Sequence, residues 1–485
     1  MSRGPTFGSS GGGSNPGGLT DKEQSVGAPQ DPTSKQTPIG TETSRSDHTG
    51  VSDEPGGKDA PYEPSNVTID KIELIHPQGT LDLNSALATI TITESMFSPS
   101  ITCRVEVLDA SEKIAELDLD GTEELRVGFH SEKNREIDHI FNVYRVEVYP
   151  DDTSGAKGKA YQLFGISKEF MTQATMDINR TMTGNISNFV NIVFQEVKKK
   201  TGTKRRLVDR HFTTGDVVLN IPGMTPFETM DMLQKRAYNS KFSSSLFTFY
   251  EDFRGYNFIN LEQAIAEGRD DPIKYQYSPG GQITDQKDVQ GQYTINQISF
   301  PLGKDVLSKI KSGAYASQVA EIDILNQKVD RTILTVKENF KDFYHLDKPA
   351  ISYDKTEVID KHLNFINSTK WVNKFVDGRR HKENNFGPLI TRRKFYNDSL
   401  GQLKMTCVVP GNSDLGVGMV MDLSMIETGA NKDDPDQEKK ISGKYLITEV
   451  NHQIIKGAYN CTMACHKSSY RANVTRIEDY VVGKR

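Results

Sequence analysis

The sequence predicts a mainly β protein with α+β insertions and two similar β-barrel domains. Strand patterns fill residues 65–170 and 386–472, and helical patterns are concentrated between these two blocks. In addition, the strands of the second block follow the same order as those of the first. With 485 residues, the chain is long enough for more than one hydrophobic core.

The first 64 residues differ in composition from the rest of the chain. Residues 1–64 consist mainly of Gly, Ser, Thr, Pro, Asp and Lys, and their only large aliphatic or Phe side chains are Phe7, Leu19, Val26, Ile39 and Val51. These are too few to build a core. We therefore expect a flexible N-terminal arm, long enough to become ordered along a partner surface.

The first strand-rich block covers residues 65–170. Alternating or β-branched runs predict five strands in "ATITIT", "SITCRVEVLD", "EELRVGFH", "IFNVYRVEVY" and "AYQLFGIS". Turn-forming clusters such as "DLDGTE" and "PDDTSGAKGK" separate them. Five strands at this short spacing favour a small antiparallel sheet or barrel.

Residues 171–285 predict an α+β insertion that begins with an amphipathic helix. Within "TGNISNFVNIVFQEVKKK", apolar side chains recur every three or four residues, at Ile186, Phe189, Val193 and Val197. The lysines that end this run suit the negative end of a helix dipole.

A second helix of the insertion is predicted for "TPFETMDMLQKRAYNS". Thr225 and Glu228 have the spacing of a capping box, and Pro226 fits the first helical position. Two aromatic-rich strands, "LFTFYED" and "YNFINL", follow and are joined by a tight "FRG" turn.

The pattern weakens in residues 286–385, a mixed segment predicted to link and complete the domains. "QYTINQISF" predicts a strand, whereas "SGAYASQVAEIDILNQKVDRTIL" mixes polar and apolar residues without clear periodicity. An extended segment lying against a neighbour is one interpretation of the second run.

The second strand-rich block covers residues 386–472. It opens with a helical pattern, "RRKFYNDSLGQL", and continues with four strands in "LKMTCVVPG", "VGMVMDLSM", "KYLITEVNHQI" and "AYNCTMACHK". The charged run "ETGANKDDPDQEKKISG" interrupts them as a predicted surface loop. Residues 473–485 are predicted to form a C-terminal tail.

The strands of the two blocks match in order. "ITCRVEVLDAS" corresponds to "MTCVVPGNSDL", "ELRVGFH" to "GMVMDLSM", "YRVEVY" to "ITEVNHQI" and "AYQLFGISK" to "AYNCTMACHK". Cys103 then lies opposite Cys407, 304 residues later (407 minus 103). Three such chains around a three-fold axis would present six similar domains, so the ring could face a six-fold partner on one side and a three-fold partner on the other.

Composition argues against several classes of protein. The formal net charge is −6 and 26% of the residues are charged, which disfavours wide electrostatic capture of nucleic acid or anionic membrane. The sequence has no signal-peptide pattern and no run of about 18 apolar residues, so we expect no membrane anchor. Four cysteines are too few for a disulfide scaffold, which fits synthesis in a reducing cytoplasm.

Two short motifs resemble functional sites. "CTMACH" offers Cys461, Cys465 and His466 as metal ligands, but in a strand Cys461, Met463 and Cys465 share one face and suit a core better. "GSSGG" at 8–12 matches a nucleophile elbow without the flanking strand and helix that the elbow needs. We therefore predict no catalytic, cofactor-binding or metal-binding residues, and no cofactor.

Other polar runs have a structural and a functional interpretation. "NHQ" at 451–453 and "DRHF" at 209–212 favour surface or hydrogen-bonded structural histidines over catalytic bases. "KKKTGTKRR" at 198–206 favours a solvated helix end over contact with DNA or an acidic partner. The acidic pairs at 123–124 and 151–152 are expected to face water in turns.

Four places in the chain carry a family resemblance. They are, in order, "SPSITCRVEVLDAS" followed by "LDGTEELRVGF"; "LNIPGMTPFETMDMLQKRA"; "VPGNSDLGVGMVMDL"; and "SGKYLITEVNHQI" followed by "AYNCTMACHKSSY". Through them, residues 66–472 resemble the baseplate hub proteins of contractile-tailed bacteriophages, the T-even-like hub family. The same run is more distantly similar to the N-terminal part of type VI secretion spike proteins.

The resemblance implies a homotrimer in which two tube-forming β-barrel domains per chain build a pseudo-six-fold ring. Such a hub adapts the six-fold tail tube to the three-fold central spike and encloses a channel for viral DNA and the tape measure protein. It implies contacts with the central spike protein, the tail tube or tube-initiator protein and neighbouring baseplate proteins. The protein would reside in the virion after assembly in the host cytoplasm, and the family implies no enzyme activity in the hub.

Two other functions stay open from the residues alone. A tail-associated cell-wall hydrolase would need a carboxylate pair or a Cys/His couple in a cleft, and the sequence places neither. A receptor- or glycan-binding β protein would expose aromatic platforms, but the only tryptophan, Trp371, lies in an unassigned stretch. For a hub we expect polar or acidic side chains along the channel, because a basic lining would hold DNA phosphates.

Overall fold

The structure of the protein is a computed structural model. It describes residues 65–109, 113–114, 116–117, 119–131, 134–150, 159–277, 291–300, 316–323, 327–335, 342–347, 364–369, 375–376, 379–380, 392–393, 396–397, 399–401, 403–425 and 441–469. The predicted arm 1–64, the acidic pair 151–152, residues 427–440 of the charged loop 427–443 and the tail 473–485 lie outside the described residues.

All five strands predicted in the first block are confirmed, and two more precede them. The seven are β1 (Thr68–His76), β2 (Gly79–Asp82), β3 (Leu87–Ser95), β4 (Thr102–Asp109), β5 (Glu124–His130), β6 (Ile137–Pro150) and β7 (Lys159–Ser167). Burial follows the pleat: along β4, Cys103, Val105 and Val107 are buried, while Arg104 and Glu106 between them are half-buried.

The α+β segment between residues 168 and 277 contains both predicted helices and the aromatic hairpin. Its elements are α1 (Lys168–Gln173), β8 (Ile178–Asn185), α2 (Ile186–Thr201), β9 (Leu207–Arg210), β10 (Asp216–Met224), α3 (Pro226–Arg236), β11 (Phe247–Asp252), β12 (Gly255–Asn260), α4 (Leu261–Gly268) and β13 (Ile273–Tyr277). The four apolar positions predicted for α2 are buried. Thr225 and Glu228 form the predicted capping box at the start of α3.

The middle of the chain contains six strands, of which β14 pairs with the last block and the other five pair among themselves. Its strands are β14 (Gln297–Ser299), β15 (Ala316–Asp323), β16 (Lys328–Thr335), β17 (Asn364–Thr369), β18 (Phe375–Val376) and β19 (Arg379–Arg380). Only residues 297–299 of "QYTINQISF" are a strand. The run left open by its weak pattern contains an antiparallel hairpin of β15 and β16, with β17 parallel to β15.

All four strands predicted in the last block are confirmed. They are β20 (Leu403–Pro410), β21 (Val420–Met425), β22 (Gly443–Ile455) and β23 (Ala458–Lys467). The described residues of the preceding predicted helix, at 392–393, 396–397 and 399–400, are helical.

Both strand-rich blocks belong to one 13-stranded sheet. Its order is β14-β20-β23-β22-β3-β4-β7-β6-β5-β1-β2, with β21 beside β22 and β13 beside β21. One core cluster spans both blocks, and a second, aromatic-rich cluster fills the α+β segment. The chain is therefore mainly β, as predicted, while closure of either block into a barrel stays a prediction.

The sheet contains the same five-strand arrangement twice. We name β3, β4, β5, β6 and β7 the first to fifth strands of copy 1, and β14, β20, β21, β22 and β23 the first to fifth strands of copy 2. In each copy the second strand lies between the first and the fifth, and the fourth lies between the fifth and the third. The predicted repeat is thus present in the hydrogen-bonded order of the strands.

The pairing register repeats as well. Cys103 pairs with Ile92 of the first strand in copy 1, and Cys407 pairs with Ile298 of the first strand in copy 2. This is the pair of cysteines that the sequence comparison placed opposite each other. A chance match between two β-rich stretches would not be expected to reproduce both strand order and register.

The other side of each copy shows the same register. Val148 of the fourth strand lies opposite Tyr161 of the fifth strand in copy 1, and Ile454 lies opposite Tyr459 in copy 2. Each of these two strand pairs also contains one β-bulge. Bulges bend a strand and increase its twist, so both copies curve at a similar place.

Candidate functional site

The junction between the two copies is a pair of antiparallel strands, β22 and β3. His452 pairs with Ile92 and Ile454 with Ile90 across it, and all four side chains are buried. The fourth strand of copy 2 is therefore joined to the first strand of copy 1 by an ordinary strand ladder with an apolar interior.

One face of the sheet is polar across this junction. Because side chains alternate along a strand, the residues between the core positions point to the opposite face. Gln453 lies opposite Thr91 and Asn451 opposite Thr93, and Thr462 lies opposite Asn451 on the next strand. Amide and hydroxyl groups thus form a band that continues from copy 2 into copy 1.

Two arginines on the polar face each lie beside a carboxylate. The Arg104 Nε lies 3.6 Å from Glu106 Oε1, which also accepts a hydrogen bond of 3.1 Å from Gln162. Arg145 forms an ion pair with Glu147. Since each of these arginines has a carboxylate beside it, their attraction for phosphate is reduced.

The α+β segment is anchored to copy 1 by the buried carboxylate of Glu251 on β11. This carboxylate accepts hydrogen bonds from the Ile101 N–H at 3.1 Å and from the Ser167 hydroxyl. Arg205 donates to it at 3.0 Å. Burial raises the pKa of Glu251 to about 7, and the guanidinium of Arg205 opposes that rise.

Arg205 was missed by sequence reasoning. It lies within the basic run 198–206, for which a solvated surface was expected, yet its side chain is only 18% exposed. Besides Glu251, its guanidinium donates to the carbonyl oxygens of Asp252 and Phe253. The turn of the β11–β12 hairpin is therefore held by one arginine, which the local sequence does not distinguish from its neighbours.

A second buried carboxylate, Glu94 on β3, contacts the same hairpin. Its Oε1 accepts from the Phe253 N–H at 2.9 Å. Burial raises the pKa of Glu94 to about 8, and the nearby Asp252 carboxylate adds to the rise. The neutral carboxylic acid therefore predominates at pH 7, beside the junction of the two copies.

Glu123 corrects another expectation. The acidic pair 123–124 was expected to face water, but Glu123 is fully buried and accepts hydrogen bonds of 2.9 Å from the Asp120 and Gly121 N–H groups. Glu124 lies on β5 and forms an ion pair with Lys168 at 2.7 Å. Both carboxylates stabilise the entry to a strand.

The histidines singled out in the sequence have structural surroundings. His452 is buried, and its Nδ1 lies 2.7 Å from the Tyr459 hydroxyl and 3.3 Å from Cys461 Sγ. Burial lowers the pKa of His452 to about 3, so the ring is neutral. His211 accepts a hydrogen bond from the Asn260 N–H at 3.0 Å and caps the end of β12.

The "CTMACH" run lies on β23 with the predicted alternation. Cys461, Met463 and Cys465 are fully buried in the core, which confirms the structural interpretation of their spacing. His466 points to the other face, where its Nδ1 lies 2.9 Å from the Thr448 hydroxyl. Among the residues that the structure describes, no group of three or more His, Cys, Asp or Glu side chains is placed to hold a metal ion.

Two further sequence features have no described position. The glycine-rich run 8–12 and Trp371 lie outside the described residues. None of the described helices is long and apolar enough to cross a bilayer.

Comparisons with known proteins give structural neighbours but no sequence relatives. No protein-family model and no curated protein matches the chain. The 43 kDa tail protein of prophage MuSo2 from Shewanella oneidensis has a TM-score of 0.48 and 10% identity, covering 82% of this chain and 98% of that one. A tail protein from Neisseria meningitidis MC58 has a TM-score of 0.47 and 8% identity, covering 83% and 98%.

The third neighbour is a component of the E. coli type VI secretion system. It is described as structurally similar to two T4 bacteriophage tail proteins, and it has a TM-score of 0.38 and 9% identity, covering 84% of this chain and 79% of that one. All three TM-scores lie below 0.5.

Proposed function

We propose that the protein is a structural baseplate hub of a contractile phage tail. Three chains would form a ring that adapts a six-fold tail tube to a three-fold central spike and encloses the channel for DNA and the tape measure protein. The repeated five-strand arrangement with matching register carries this proposal. Two equivalent copies per chain give six in a trimer, which is what a match between three-fold and six-fold partners requires.

The polar face of the sheet supports the channel. A passage for DNA must exclude strong phosphate binding, and this face combines uncharged amide and hydroxyl groups with arginines neutralised by carboxylates. In this proposal the face lines the channel, and the opposite face is the core that packs against the α+β segment.

The proposed role is mechanical, without a catalytic step. The buried His452 and Glu251 have structural hydrogen-bond partners, and the sequence offers no catalytic motif. In a virion the partners would be the central spike, the tube or its initiator, and neighbouring baseplate proteins. The α+β segment would meet the spike and the surrounding baseplate.

Native mass spectrometry combined with negative-stain electron microscopy tests the proposal. A species of three chains that appears as a six-lobed ring with a central hole is the expected result. A compact monomer that cleaves peptidoglycan would overturn the hub in favour of a cell-wall hydrolase.

A further inference from the structure

Two strand edges of the chain correspond to the two edges that meet at its internal junction. At the junction, the fourth strand of copy 2 pairs with the first strand of copy 1, through Glu449–Ile455 and Thr89–Ser95. The corresponding stretch of copy 1 is residues 144–149 of β6, beyond the last residue that pairs with β5, Asn142. The corresponding first strand of copy 2 is β14, which lies at the end of the sheet.

Neither of these edges has a strand partner within the described part of the chain. β14 pairs only with β20, and residues 144–149 pair only with β7. Such edges leave backbone N–H and C=O groups without ladder partners, and proteins usually cover, charge or pair them. We propose that residues 144–149 of one chain pair with β14 of a second copy and so repeat the internal junction between chains.

Side-chain exposure supports a covered edge. Ile454 is 2% exposed in the internal junction, whereas the corresponding Val148 is 52% exposed. Tyr144 and Tyr149, on the same stretch of β6, are 47% and 46% exposed. Exposed side chains of this size along a strand edge without a described partner are unusual and suit an edge that a second strand covers.

The edge of β14 shows the same contrast. Ile92 is fully buried because β22 covers it, whereas the corresponding Ile298 is only partly buried against the core. A second chain that lies along β14 would place Ile298 in the environment that Ile92 already has. Each edge therefore exposes a side chain that the other strand would bury if the two paired.

The internal junction also fixes the register of this pairing. Val148 corresponds to Ile454 through the shared tyrosine partners, so Val146 corresponds to His452 two residues earlier. His452 pairs with Ile92, which corresponds to Ile298. The inferred pairs are therefore Val146 with Ile298 and Glu147 with Gln297.

The contact joins two different edges, so it is heterologous. A heterologous contact adds chains in one direction until a ring closes or a filament grows. The inference rests on the proposed trimer for its closure at three chains, but the choice of edges and register comes from the internal junction alone. In this inference, the strand positions that pair between chains are the same ones that pair within a chain.

Disulfide cross-linking tests the register. The double variant Glu147→Cys with Gln297→Cys brings the two introduced thiols opposite each other, on the polar face, in neighbouring chains. Mild oxidation is expected to yield covalent dimers and trimers on non-reducing gels. The four natural cysteines are buried, so they give little background.

Two matched variants serve as controls. Gln453→Cys with Thr91→Cys occupies the corresponding positions of the internal junction and is expected to cross-link within one chain. Tyr149→Cys with Ser299→Cys is four residues out of the inferred register, about 13 Å along the strand, and is expected to stay reduced.

The outcomes separate the inference from the proposed function. Intermolecular cross-links at 147 and 297, without cross-links at 149 and 299, support the inferred pairing. A native trimer that fails to cross-link at 147 and 297 overturns the pairing but leaves the hub proposal. A monomer without any intermolecular cross-link, in which the internal control pair still forms, overturns both.

Discussion

Gly165 occupies a position in the fifth strand of copy 1 where a side chain has no room. A Cβ added there would lie 2.7 Å from the Cβ of Phe141 and 3.6 Å from the Cβ of Cys103. In copy 2, the corresponding position opposite Cys407 is Met463. In copy 1 the Phe141 side chain on the fourth strand therefore occupies the space that the Met463 side chain, on the fifth strand, occupies in copy 2.

We expect Gly165→Ala to destabilise the protein by about 1–3 kcal/mol, because Phe141 must shift within a close-packed core. Urea denaturation measures the loss. Gly128→Ala is the matched control on β5, where the nearest atom, Lys71 Cβ, would lie 3.6 Å away in ordinary contact. Equal losses in both variants would contradict the crowding argument.

The buried carboxyl of Glu94 makes stability depend on pH. Its pKa is raised to about 8 in the folded protein from 4.5. The folded state therefore holds a proton that the unfolded chain releases, so this group stabilises the fold fully below pH 4.5 and loses its contribution as pH rises through about 8.

Glu94→Gln keeps an acceptor for the Phe253 N–H but cannot ionise. Relative to the natural protein, the variant should gain unfolding free energy as pH rises from 5 to 8, by up to roughly 1.4 kcal/mol per pH unit. Denaturation curves at several pH values measure this difference in unfolding free energy. Glu251, whose pKa is also raised, is present in both proteins, so its contribution cancels. A difference that stays constant with pH would show that Glu94 does not hold the proton.

The environments of these single residues could not be predicted from the local sequence. Arg205 meets Glu251 across 46 residues, and Glu251 meets Ile101 across 150. Periodicity describes only which face of an element a residue occupies, so partners brought together by the fold leave no local signal. The alternation of Cys461 and Cys465 was predictable because it depends on one strand alone.

The edge of β6 at residues 144–149 exposes Val148, which the inferred pairing would bury. Val148→Lys places a charge where the inferred partner strand would lie, and charged side chains on an edge oppose further pairing. We expect the proposed trimer to dissociate in this variant at protein concentrations where the natural protein would stay assembled. Native mass spectrometry gives the fraction of each species.

Ile192→Lys is the matched control for this change. Ile192 is 43% exposed on α2, which the inferred strand pairing does not involve. The Ile192→Lys substitution should leave the proposed trimer intact. Unchanged circular dichroism in both variants would exclude unfolding. If Val148→Lys assembles as well as the control, another surface joins the chains.

The sequence predicted elements where the apolar pattern was strong. The strands of both copies, α2 and α3 follow from apolar periodicity and from the capping box at Thr225. The unpredicted strands include β2 and β9, with four residues each, but also the longer β1, β8 and β10; all of them depend on pairing partners elsewhere in the chain. The order of matching strands was readable from the sequence, but the fusion of both copies into one sheet depends on the pairing of β22 with β3.

In the proposed ring, three chains with two copies of the five-strand arrangement each would match both a three-fold and a six-fold partner. The same junction would occur three times within chains and three times between them, and every first strand would be paired. The polar face would then surround the axis six times over. In the proposed ring, its charge pairs would act on anything that passes through the centre.

Removing one carboxylate from this face tests whether DNA passes there. Glu106→Gln leaves Arg104 without the carboxylate that lies 3.6 Å away, once per chain. A trimer would gain up to three phosphate contacts around its channel, and the slope of log affinity against log salt should steepen by about 0.9 for each contact. Fluorescence anisotropy with a short labelled duplex at several salt concentrations measures that slope.

The control removes an equivalent carboxylate elsewhere. Arg180 pairs with Glu196 at 2.6 Å in the α+β segment, away from the polar face. Glu196→Gln changes the net charge equally, so a general electrostatic effect would strengthen DNA binding in both variants. Stronger binding in Glu106→Gln alone places the duplex along the polar face, because only there does the released arginine lie beside the path of the phosphates.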